Sequence, residues 1–288
     1  MRRPTVRWPR LRRDDGFWRE AAREVALVFG AYFLYSATKN LINPKAVLDA
    51  FGHAGSVISL ESAVGIFVEP SIQQWFVSDF FHGLRFLTYF YTFGFWVTLI
   101  GSAAVFFVLR RRLYYRMRRV FLITLALGIA VFAIYPLAPP RMLPSTGFVD
   151  AMALFGLNPL DDDNSLLTYN RYAAMPSLHY VWSLLLAVAW MQFGGRWAAV
   201  GGFAFQAMIL IAIIATANHY VLDAVFAVLL LVVAFKIHGW YERRVESGRG
   251  FALSSIRLPS RPEAGGNRDW PDIYDRIGAD AGAIAGTW

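Results

Sequence analysis

The chain has 288 residues, of which 57% are hydrophobic and 17% charged, with a net charge of +8 and no cysteine. That balance excludes an ordinary soluble domain, where about 25% of residues are charged. The missing cysteines exclude disulfides, thiolate catalysis and Cys-ligated metals. The positive charge is nearly all Arg and lies beside apolar stretches, which points to membrane orientation and away from nucleic acid.

Several stretches of about 20 residues carry almost no charge, and in hydrocarbon such a stretch satisfies its own backbone by coiling into a helix. The expected fold is therefore an all-α integral membrane protein. It has six transmembrane helices in a bundle and an outer interfacial helical loop. Residues 1–23 form a basic cytoplasmic N-terminal segment with Arg2, Arg3, Arg7, Arg10, Arg12 and Arg13. A first span is expected from Val25 to Ile42. It lacks a small-residue cleavage site, so it reads as a retained span. Asn43-Pro44 breaks it. Ala46 to Gly83 contains Glu61, Glu69, Asp79 and His82 among many aromatics. It is too interrupted to span and reads as a helical loop on the outer interface.

The second span is expected from Leu84 to Leu109. Arg110, Arg111, Arg112, Arg116, Arg118 and Arg119 then mark a cytoplasmic loop, which orients the rest. The third span runs from Val120 to Leu137. A long outer loop follows, from Ala138-Pro139-Pro140-Arg141 to Met175-Pro176. The fourth span runs from Pro176 to Gln192 and turns at Phe193-Gly194-Gly195-Arg196. The fifth ends near Thr216, and the sixth runs from Asn218 to Ile237. The membrane domain is thus 24–245. Residues 246–288, rich in Gly, Pro and Ser, read as a disordered cytoplasmic tail. Both termini lie in the cytoplasm of a multi-pass cell-membrane protein.

This topology gathers three polar groups at the outer ends of the helices. They are Arg141, the Pro176-Ser177-Leu178-His179 run, and the His219-Tyr220-Val221-Leu222-Asp223 run. Ionisable residues at the edges of spans are functional suspects. His219 and Asp223 share a helix face. A carboxylate there fixes the tautomer of the imidazole and leaves the other nitrogen as a lone-pair donor. Pro176 suits the first position of a helix. The amides after it suit a phosphate, and Ser177 adds a hydroxyl. His179 is placed to protonate a leaving oxygen, and Arg141 can clamp two phosphate oxygens.

The expected chemistry is attack of His219 on a lipid phosphate, a phosphohistidine, and transfer to water or an alcohol. Asp223 steadies the His219 imidazolium. No metal and no cofactor are expected; a zinc site is the rival reading of two His and an Asp. The expected partners are a phospholipid or polyprenyl phosphate donor, a water or alcohol acceptor and the bilayer, with the site extracytoplasmic. A lipid transporter or binding protein is the non-enzyme alternative, but it would favour a midplane site and paired broken helices. His53 and His82 read as interfacial or solvated, and His238 as solvated at the cytoplasmic edge. Asp161–Asp163 reads as a solvated run. Asp150, Tyr169 and Asn170 are candidates for an acceptor pocket.

Ala173-Ala174-Met175-Pro176-Ser177-Leu178-His179 resembles the second signature of the type 2 phosphatidic acid phosphatase superfamily, usually Pro-Ser-Gly-His. Asn218-His219-Tyr220-Val221-Leu222-Asp223 resembles the third. Leu178 before His179 and Tyr220 after His219 are similar to the inositol phosphorylceramide synthase (aureobasidin-resistance) branch of inositolphosphotransferases. Tyr114 and the Pro-Pro-Arg turn also look like that branch. The resemblance implies His219 as nucleophile, Asp223 as its partner, His179 as acid and Arg141 as phosphate binder. It also implies phosphoalcohol headgroup transfer, with a lipid phosphate phosphatase as the alternative. The superfamily's other phosphate-binding cations fall here on Ile134 and Ile213. Arg171 or Arg85 is the expected substitute.

Overall fold

The computed structural model describes residues 15–37, 44–143, 146–157 and 170–246. The 246–288 tail beyond Glu246, the Asp161–Asp163 run and Tyr169 lie outside the described residues. The described residues up to Arg243 form one compact unit. Its helices are α1 (Asp15–Ala37), α2 (Pro44–Ala63), α3 (Glu69–Ser78), α4 (Phe81–Tyr89), α5 (Phe95–Leu109), α6 (Arg111–Ile134), α7 (Ala151–Leu154), α8 (Leu178–Ala215) and α9 (Val221–Glu246). A π-helical turn, Phe90–Gly94, joins α4 to α5. A short 3-10 turn covers Pro140–Met142.

Four helices among the described residues are long and apolar enough to cross a membrane: Phe81–Leu109, Arg111–Ile134, Leu178–Ala215 and Val221–Val245. The expected count of six is not reached, for two reasons. The expected first span, Val25 to Ile42, lies partly outside the described residues, and the helix that carries its described part starts earlier, at Asp15, and takes in Arg19, Glu20, Arg23 and Glu24. The expected fourth and fifth spans are joined in α8, which breaks at Gly195 with φ 71°. L side chains rarely adopt that φ, and glycine supplies it without steric cost.

The two arms of α8 fold back on each other. A Cβ on Gly202 would lie 2.9 Å from the Ala187 Cα, and Ser183 bonds to Gln206 across the same seam. Small residues let backbones approach this closely where apolar burial alone cannot drive helix association. Gly202→Ala should therefore overpack the seam and cost about 1–3 kcal/mol, seen as a lower melting temperature in detergent.

The core lies between α5, α6, α8 and α9, around Phe95, Phe106, Val120, Phe132, Trp182 and Ile213. Buried indoles find partners: Trp182 donates to Thr124 at 3.1 Å and Trp190 to Ser102 at 3.1 Å. At one end of the bundle the Arg110–Arg119 cluster is partly neutralised from other elements. Arg111 pairs with Glu20, Arg118 with Glu24, and Arg119 with Glu242 at 3.3 Å. His238, expected to be solvated, is buried beside them, 3.2 Å from Glu242.

The opposite end carries α2 and α3. The expected interfacial loop is a helical pair that packs inward over the loops between the spans. Ala50, Ala54 and Val57 of α2 join a second core with Leu137, Ala138, Ala174, Met175 and Tyr220. His53, expected to be interfacial or solvated, is half-buried. It stacks on Tyr135 at 3.9 Å, and its Nδ1 lies 2.8 Å from the Pro136 carbonyl. From α3, buried Gln73 bonds both Val149 and the Ala215 carbonyl.

Candidate active site

Three loops are laced together at the α2–α3 end. Leu137 N–H donates to the Tyr172 carbonyl at 2.7 Å, beside a parallel bridge between Leu137 and Ala173. Arg141 N–H donates to the Ala217 carbonyl at 2.8 Å. Ser177 N–H donates to the Asp223 carbonyl at 3.3 Å. The Tyr220 hydroxyl donates to the Ala138 carbonyl at 3.1 Å. Burial and then the nearby Asp223 charge hold that phenol well above its ordinary pKa, so it stays a donor. These bonds carry Arg141, His179, His219 and Asp223 on one connected frame.

His219 is the most fully determined group. Its Nδ1 is 2.9 Å from the Ala174 carbonyl oxygen and 3.1 Å from Asp223 Oδ2. Both neighbours are acceptors, so Nδ1 carries the hydrogen and Nε2 keeps the lone pair. Asp223 does a second job with the same oxygen, accepting Tyr220 N–H at 3.0 Å. An acid at the third helical position that reaches back to the preceding backbone is half of a capping box. The i,i+4 spacing of His219 and Asp223 thus works from a turn into the first turn of α9, with Asp223 fully buried.

The start of α8 differs in detail from expectation. Its cap is Ser177, whose Oγ accepts Tyr180 N–H at 3.4 Å. Pro176 therefore lies before the cap, after a cis Met175–Pro176 bond, and does not occupy the first helical position. Ser177 is fully buried and serves as the helix cap. His179 follows in the first turn of α8. It sits against three aromatic rings, Tyr91 at 4.2 Å, Phe95 at 4.4 Å and Trp96 at 6.0 Å. The π-helical turn places them. Gly94 within it leaves room for the Phe90 ring, which a Cβ would meet at 2.6 Å. π-turns concentrate at functional positions.

Arg141 is nearly buried and forms an ion pair with Asp150 at 3.3 Å. Asp150 also caps α7 through Met152 and Ala153 N–H. Arg171 is half-buried two residues before the Ala173 bridge, whereas Arg85 is exposed and lies over Tyr89 on its own helix. Asn170 is buried and its side chain accepts Tyr172 N–H at 3.0 Å, a turn-forming role. Among the described residues no three His, Asp or Glu side chains converge as metal ligands.

Two residues missed in the sequence complete the site. Glu61 and Glu69, both fully buried, reach from α2 and α3 to the backbone at the start of α9. Their signal was an ionisable group inside an apolar stretch.

The chain is 27% identical over 208 residues to "Phosphoinositol dihydroceramide synthase" of Bacteroides thetaiotaomicron. The match covers 65% of this chain, and the chain spans 64% of that relative's length. No solved structure matches it. The family model described as PAP2 superfamily matches residues 55–237, more than half of the chain and all of the site above. The protein belongs to the PAP2 superfamily.

Proposed function

We propose that the protein is a lipid phosphotransferase that passes a phosphoalcohol headgroup, of the phosphoinositol kind, from a phospholipid to a lipid hydroxyl through a phosphohistidine. The observation that carries the reading is His219 Nδ1 between two acceptors, which leaves Nε2 as a nucleophile. In the first step Nε2 attacks phosphorus, the bond from phosphorus to the diacylglycerol oxygen breaks, and His179 gives that oxygen a proton. In the second step His179 takes the proton of the acceptor hydroxyl. The acceptor oxygen attacks phosphorus, the P–N bond breaks, and His219 returns to its starting form. Asp223 balances the imidazolium charge between the steps. Arg141, with Arg171 as a second cation and Ser177 as a hydroxyl donor, holds the equatorial oxygens, where preorganised charge contributes most. An entering phosphate competes with Asp150 for the Arg141 fork.

The site occupies the end of the bundle opposite the Arg110–Arg119 cluster, which supports an extracytoplasmic position. The count of crossings belongs to the same reading: α1 crosses, and α8 crosses twice around Gly195. The name of the Bacteroides relative and the Tyr220 and Leu178 variants of the family signatures favour transfer over hydrolysis.

The test uses protein in mixed micelles with phosphorus-labelled phosphatidylinositol, dihydroceramide and a chelator. A labelled phosphoinositol dihydroceramide is expected. Labelled inositol phosphate alone would make the protein a phosphodiesterase that passes the headgroup to water, and free phosphate from labelled phosphatidic acid in place of either would make it a phosphatase. Activity that returned only with added zinc or magnesium would overturn the metal-free scheme.

A further inference from the structure

The first amide hydrogens of a helix have no partner within it. Ser, Thr, Asp or Asn ahead of the helix usually supplies an acceptor. In α9 that position is Tyr220, whose hydroxyl is already turned to Ala138. The acceptors come from far along the chain instead. Glu69 Oε1 takes Val221 N–H at 2.7 Å, and Glu61 Oε1 takes Leu222 N–H at 2.7 Å. The next residue is Asp223. A charged acceptor at a helix N-terminus is favoured by the helix dipole.

Two ionised carboxylates here would be costly. Both are fully buried, and Asp223 is a third buried acid nearby. The second oxygen of each, Oε2, has no donor among the described residues. The two carboxyl groups are brought side by side, because they accept the hydrogens of adjacent amides. An ionised carboxyl has no hydrogen to give, so a bond between them needs a proton on one. Burial, reinforced by the Glu69 and Asp223 charges, pushes the Glu61 carboxyl well above the usual carboxylate range.

We propose that Glu61 and Glu69 share one proton and act together as positioning residues, fixing the first two amides of α9 and through them Asp223 and the imidazole it holds. The proposal rests on His219 being the nucleophile. It gives α2 and α3 a function: they are the clamp that sets the height of the catalytic turn. Neither glutamate needs to touch the lipid.

The test combines kinetics and infrared spectroscopy on the full chain in micelles, with labelled phosphatidylinositol and dihydroceramide as probe. Glu61→Gln keeps an acceptor for Leu222 and replaces the shared proton with an amide hydrogen. It should hold kcat within about fivefold. Glu61→Leu and Glu69→Leu remove the acceptor and should lower kcat about 100-fold with KM little changed, the usual size of a small misplacement of reacting groups. The wild type should show a protonated-carboxyl stretch, and Glu61→Gln and Glu69→Gln should each lose that same band. Full kcat in Glu61→Leu, Glu61→Gln as inactive as Glu61→Leu, or no band in the wild type would each overturn the proposal. If the Leu variants fail to fold, the Gln variants and the band decide it. A His219→Ala protein that turned over normally would instead remove the functional reading while the band stood.

Discussion

Replacing His219 with Ala should lower kcat by about 10⁴- to 10⁶-fold, the range seen when a nucleophile or its base is deleted from a catalytic unit. The protein should still fold, because the imidazole is replaced by a smaller side chain in a turn held by other bonds. His219 N–H donates to the Ile213 carbonyl at 3.1 Å, and that bond survives the change. The chemistry is checked by trapping. Label from phosphatidylinositol should appear on the wild-type protein in an acid-labile, base-stable form and be absent from His219→Ala. His179→Ala separates the two steps. A nitrophenyl phosphodiester has a leaving group that needs no proton. With it the variant should still load label onto His219 and then stall, since the base for the acceptor is gone. Label on His219→Ala equal to wild type would end the phosphohistidine scheme.

Asp223→Asn should cost about 10⁴-fold in kcat while leaving the shape of the site nearly unchanged. The argument is about one hydrogen. Asp223 Oδ2 accepts from both His219 Nδ1 and Tyr220 N–H. An asparagine must offer its oxygen to one side or its NH2 to the other. Given to Tyr220, the oxygen keeps the turn, but the imidazolium loses the only carboxylate bonded to its ring in the described structure. If the NH2 turns to Nδ1, the tautomer is reversed and Nε2 carries the hydrogen. Either way attack suffers more than binding, so kcat should fall with KM close to wild type. Lipid binding retained with turnover lost is the expected pair of results. An equal loss of both would mean that the turn itself had collapsed.

The frame of this site was legible in the sequence because orientation is written in composition. Apolar runs mark helices, and the Arg110–Arg119 cluster tells which ends face together. His219 and Asp223 could be paired from their spacing, although His219 lies in the turn before α9 and not on the helix face that the spacing suggests. Other features depend on contacts between segments far apart in the chain. Glu61 bonds Leu222 and Glu69 bonds Val221, and no local pattern announces an acceptor for a helix that begins so much later. The rings around His179 come from a π-turn, whose effect on side-chain direction has no period to detect. Pro176 was misplaced because a proline before a cap and a proline at a first helical position look alike in sequence. His238 looked solvated at the edge of a span, yet the bundle closes over it beside Glu242.

The break at Gly195 has a consequence at the far end of α8. His179 stands at the head of one arm, and His219 follows a few residues after the end of the other. His179 and His219 therefore stand at the two tips of one pair of tweezers whose arms join at Gly195. Their gap is set by how far the arms splay, so the Gly202–Ala187 approach and the Ser183–Gln206 bond that hold the arms together also have leverage on the distance between the two rings.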